Sequence, residues 1–108
     1  MNPKREPLVL LVDSDGETLT SLYSILDREG CSVATSHPDS NALRYVAEHK
    51  PEVALVGRHP EDATVGLLPE KIRRLSPKTR VLFFDLKRAW EQGSLPIREL
   101  VETVKGRR

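Results

Sequence analysis

Short, wholly aliphatic runs set between stretches of helical periodicity constrain this chain more than any other feature. Leu8-Val9-Leu10-Leu11-Val12 and Val53-Ala54-Leu55-Val56 contain no polar residue. A strand with one wet face alternates apolar and polar side chains, so an unbroken run of this length predicts a strand covered on both faces. Val81-Leu82-Phe83-Phe84 reads as a fourth strand, and Cys31–Thr35 as a short second one.

Between these runs the apolar period changes to that of a helix. Leu19, Leu22, Tyr23 and Leu26 predict one inward face, with Ser14 as N-cap, Glu17 completing a capping box and Gly30 ending the helix in the left-handed conformation. Asp39 or Ser40 caps a second helix whose inward face is Ala42, Leu43, Val46 and Ala47, and Pro51 marks its end. A third presents Leu67, Leu68, Ile72 and Leu75, with Pro69 in its first turn and Pro77 closing it. Ile97, Leu100, Val101 and Val104 mark a last amphipathic helix. Alternating strand and helix with short connections implies a parallel sheet with helices on both faces, an α/β three-layer sandwich.

The 108 residues make room for one domain. A chain 38% hydrophobic and 31% charged is an ordinary globule, not a disordered segment. No apolar run is long enough for a membrane helix and residues 1–6 lack a signal peptide's apolar core, so the expected compartment is the cytoplasm. The single cysteine, Cys31, excludes an intrachain disulfide and a thiolate zinc cluster, and packing is its expected role. The net charge of +1 divides unevenly, residues 1–54 being acidic and residues 55–108 basic.

The pattern Val9-Leu10-Leu11-Val12-Asp13, followed by Pro51-Glu52-Val53-Ala54-Leu55-Val56, resembles the receiver domain of bacterial two-component response regulators. The resemblance covers roughly residues 7 to 104, firmly up to Phe84. It implies a flavodoxin-like strand order 2-1-3-4, with a fifth strand beyond the fourth. It also implies a phosphorylation site, and here the sequence departs from the family. Of the two adjacent acidic residues after the first strand, Asp13 is kept and the second is Ser14, with Asp15 one place late. The phosphoacceptor aspartate is matched by Gly57, the switch Thr or Ser by Asp85, and the lysine expected before Pro96 by Leu95. Pro60 and Gly66 are displaced from the family's loop spacing.

Each departure has a chemical consequence. A glycine cannot form an acyl phosphate, and its loss removes an oxygen ligand from a Mg²⁺ shell. Without the lysine nothing offsets a phosphoryl charge, and Asp85 would repel one. A reorganised metal site of Asp13, Asp15 and Asp85 is the sharper reading. It requires Asp13 and Asp85 to converge from strands about 9–10 Å apart, and capping of nearby N–H groups is the plainer use of these carboxylates. The expectation is a vestigial site of Asp13, Ser14, Asp15, Gly57 and Asp85, with no metal and no cofactor. His37, His49 and His59 have no partner at ligand spacing and read as surface residues.

Between Asp85 and Leu100 the chain is too short for the fourth helix and fifth strand that the resemblance implies, so these are expected to be shortened or absent. Something must cover the fourth strand's edge. Trp90 either folds back over it as core or, with Leu86, Leu95, Pro96 and Leu100, forms an interface with a second copy or another protein. The leading functional expectation is a non-enzymatic pseudo-receiver that binds proteins in bacterial signalling, with homodimerisation one route. A nucleic-acid-associated regulator using Arg73, Arg74, Lys78, Arg80, Lys87, Arg88, Lys105, Arg107 and Arg108 ranks below it, for want of a recognition helix or aromatic platform. A small-ligand sensor at the vestigial crevice is the third reading. An enzyme ranks last, because no nucleophile–base pair or phosphate-binding loop stands out.

Overall fold

A computed structural model of the chain describes residues 7–57, 67–84 and 97–106, with the side chains of residues 84 and 97–100 outside that description. Four strands alternate with helices. They are β1 (Leu8–Val12), α1 (Gly16–Arg28), β2 (Ser32–Ser36), α2 (Ser40–His49), β3 (Val53–Gly57), α3 (Leu68–Leu75), β4 (Arg80–Phe84) and α4 (Ile97–Lys105). The strands form one parallel sheet in the order β2-β1-β3-β4, the flavodoxin-like arrangement. Leu8 stands opposite Ser32, Val9 opposite Val53 and Val53 opposite Arg80.

The direction of travel along the sheet reverses after β2. With crossovers of constant right hand, that reversal moves the helices from one face to the other. The two halves of the core follow it. Val9, Leu11, Val53 and Leu55 pack with Leu19, Leu22 and Leu26 of α1 and Val101 and Val104 of α4. Leu10, Val12, Ala54 and Val56 pack with Ala42 and Val46 of α2 and Leu68 and Ile72 of α3. Successive side chains of a strand point to opposite faces, so β1 and β3 supply both layers in alternation. This is why their sequences carry no polar residue. Each fully buried Leu or Val there contributes roughly 1.5–3 kcal/mol of transfer free energy. Cys31 lies buried in the α1 and α4 layer.

The local signals are displaced in places. The N-cap of α1 is Asp15 and not Ser14, which is exposed. Asp15 occupies extended backbone and its carboxylate accepts from the N–H of Thr18, the N3 position, so the cap lies one residue later than the Ser14–Glu17 spacing predicts. Gly30 does take positive φ, at 91°. Asp39 caps α2, its carboxylate accepting from the N–H of Asn41 at 2.9 Å. Three helix faces are narrower than expected. Tyr23 and Ala47 are exposed, and so are Leu67 (60%) and Leu75 (37%). Each sits at the rim of its apolar stripe, where helical spacing alone does not distinguish core from boundary. Among the described residues no helix is long and apolar enough to cross a membrane.

Candidate functional site

The strand order reverses between β1 and β3, and the crevice beyond their C-terminal ends is where open α/β sheets hold ligands. Val12 pairs with Val56, so Asp13 and Gly57 are the next residues along these two neighbouring strands. Gly57 also pairs with Phe84, so residue 85 is the next position beyond β4. The sheet register therefore brings Asp13 and Gly57 to one edge, as the vestigial-site reading requires. Asp85, His59 and Pro60 lie outside the described residues.

The acids at this edge are engaged with their own backbone. Asp13 is 2% exposed. Its N–H donates to the Ser36 carbonyl at 3.1 Å, extending the ladder to β2. Its Oδ1 accepts from the N–H of Asp15 at 2.7 Å, which closes the turn leading into α1. Asp15 Oδ2 then accepts from the Thr18 N–H at 3.2 Å and from Thr18 Oγ1 at 2.6 Å. One carboxylate thus supports the turn and the next caps the helix, where the positive end of the macrodipole favours it. Ser14, between them, is exposed. Among the described residues no group of three His, Cys, Asp or Glu side chains converges as a metal site.

Gly57 is buried and is not among the residues with positive φ. It continues β3 as an ordinary strand residue. Backbone conformation therefore does not demand glycine here. What distinguishes the position is the missing side chain.

The opposite, N-terminal edge of the sheet is assembled by hydrogen bonds between distant segments. Thr79 Oγ1 donates to the Pro51 carbonyl at 2.6 Å, and its contact with Ser76 Oγ is also 2.6 Å. Since the threonine proton goes to Pro51, Ser76 is the donor to Thr79. Three cations meet helix C-termini, where carbonyls lack intrahelical partners. Lys50 Nζ donates to the Leu75 carbonyl of α3 at 2.7 Å. Arg80 donates to the carbonyls of Thr103 and Val104 in α4 at 2.8 and 2.6 Å. Lys105 Nζ donates to the Glu29 carbonyl at the end of α1 at 2.7 Å. Lys50 takes the left-handed conformation, φ 47° and ψ 62°, a rare state for a residue with a Cβ.

These contacts bear on the basic residues picked out by the sequence. Arg80 and Lys105 hold helix ends, while Arg73, Arg74 and Lys78 are exposed. Lys87, Arg88, Arg107 and Arg108 lie outside the described residues, as do Leu86, Trp90, Leu95 and Pro96 of the expected interface and the side chain of Leu100. Sequence reasoning missed Lys50, Ser76 and Thr79. The available signal was the repeated placement of a capping residue before proline, in Lys50-Pro51 and Ser76-Pro77. The chain matches no protein-family model and none of the curated proteins with which it was compared.

Proposed function

We propose that the chain is a non-phosphorylatable pseudo-receiver, a protein–protein interaction module of bacterial cytoplasmic signalling with no catalytic step of its own. The observation carrying this reading is the pair Asp13 and Gly57 at adjacent positions of the β1–β3 crevice. The receiver resemblance puts a metal-holding acid and the phosphoacceptor at these two positions, and only the acid is present. Asp13 and Asp15 spend carboxylate oxygens on the turn and cap entering α1, which supports a structural use of both. A domain that keeps the receiver sheet without its reaction has its surface left as the means of action.

The test is intact-mass spectrometry after incubation with acetyl phosphate and Mg²⁺, on the natural chain and on Gly57→Asp. Neither is expected to gain a phosphoryl group. The variant regains the acceptor but still has Ser14 for the second acid and Leu95 for the lysine. A phosphoryl adduct on the natural chain would overturn the proposal. Light scattering across a wide concentration range then identifies the kind of partner: a dimer points to a second copy, a monomer to a different protein.

A further inference from the structure

The C-terminal end of α3 adjoins the N-terminal edge of β3 and β4, where Ser76, Pro77 and Lys78 share a recess with Lys50, Pro51, Glu52 and Arg80. Leu68 and Ile72 point α3 into the core, which leaves Lys71 and Arg74 exposed on its outer side between the exposed Leu67 and Leu75. Lys78 follows after the helix end and is also exposed. Among the described residues no ion pair joins Lys71, Arg74 or Lys78 to a carboxylate. Just beyond α3 lies a recess of about 640 Å³, lined by Pro51 and Pro77 with Lys50, Lys78 and Arg80 against one carboxylate, Glu52. Its volume falls within the roughly 300–1,000 Å³ of ligand-binding clefts. Lys50 belongs to both features, because its ammonium is held on the Leu75 carbonyl.

We infer that this surface docks an acidic segment of a partner protein, whose carboxylates lie along Lys71, Arg74 and Lys78 and whose apolar side chain enters the recess. The inference rests on the chain's reading as an interaction module and names where and what it binds. Lys71, Arg74 and Lys78, with Lys50 and Arg80 in the recess, outnumber the carboxylates Glu70 and Glu52, and this charge balance selects the acidic partner. The lining prolines and the flanking leucines select one that also brings apolar surface. Bonds to helix carbonyls hold Lys50 and Arg80 in place before any partner arrives, so their ordering cost falls on folding and not on binding. Nucleic acid fits less well. Exposed leucines meet phosphates poorly, and the exposed aromatics Tyr23 and Phe83 lie on α1 and β4 and not on α3.

The experiment is fluorescence anisotropy with a labelled Glu-rich peptide carrying one central Leu, run beside a labelled DNA duplex of mixed sequence. Saturable peptide binding is expected. Lys71→Glu with Arg74→Glu should weaken it about tenfold or more, whereas the charge-matched control Arg28→Glu with Arg44→Glu leaves it within about twofold. Replacing the peptide's Leu by Ser should cost a further several-fold. All four substitutions are at exposed positions, and circular dichroism checks that both variants are folded. Absence of peptide binding, equal losses in the two variants, or tighter binding of the duplex would each overturn the docking inference. None of these would restore phosphorylation, so the pseudo-receiver reading stands or falls separately.

Discussion

The two ends of one parallel sheet are built on different principles. At the C-terminal end, Asp13 and Asp15 accept from backbone groups two and three residues away, which closes a turn and caps α1. At the N-terminal end the corresponding bonds span 23 to 28 residues from Lys50, Thr79 and Arg80, and 76 residues from Lys105. Local caps set the shape of a segment, whereas long-range polar bonds tie segments together. In a receiver-like sheet the first end is the place for chemistry. Among the described residues, the acids there close a turn and cap a helix, and the long-range side-chain bonds are at the other end.

The contrast predicts that disruption costs more at the N-terminal end. Thr79→Val keeps the shape but removes the hydroxyl, leaving the Pro51 carbonyl and the Ser76 hydroxyl short of a partner in a buried place. A loss of about 2–3 kcal/mol is expected in urea unfolding. A loss below that of the next variant would break the comparison. Asp15→Ala removes the α1 cap at the C-terminal end and should cost about 1 kcal/mol, with the denaturant slope unchanged.

The smallest effect tests the layer between the two ends. Tyr45 lies partly buried on α2 with its ring 4.4 Å from that of His49, and burial raises its phenol above the usual value. A group whose folded pKa is raised stabilises the fold at pH below its unfolded value, near 10, and that contribution is lost as pH rises through the folded value. Ultraviolet titration should show a tyrosine ionising late, and Tyr45→Phe should delete that phase while leaving stability at neutral pH nearly unchanged.

Much of this architecture was legible because burial on two faces leaves a plain mark. Leu8–Val12 and Val53–Val56 could be read as central strands, since any polar residue in them would be buried without a partner. Cap positions were less legible. Ser14 and Asp15 are both good N-caps, and the choice depends on the turn that Asp13 closes, which sequence spacing does not show. The rims of the helices are hard to read for a related reason: Leu67, Leu75 and Ala47 fit the period but are exposed at the edge of their apolar stripes. The crevice edge was legible through register, because Asp13 and Gly57 follow paired residues. The cation–carbonyl contacts of Lys50, Arg80 and Lys105 were not, since each depends on a helix end brought close by the tertiary fold.

The clasp between Lys105 and Glu29 also has a consequence in time. It joins a residue near the end of the chain to one in its first third, and Val101 and Val104 cover the same sheet face as α1. A growing chain can pair β1, β2 and β3 and cap α1 and α2 before the last helix has been made. Until then the α1 face of β1 and β3, with Val9, Leu11, Val53 and Leu55, lacks the cover of Val101 and Val104. Long-range contacts are the slow ones to form, and uncovered apolar faces are where nascent chains associate wrongly. The bonds from Arg80 and Lys105 to helix carbonyls can form only once α4 has been made and docked on this face.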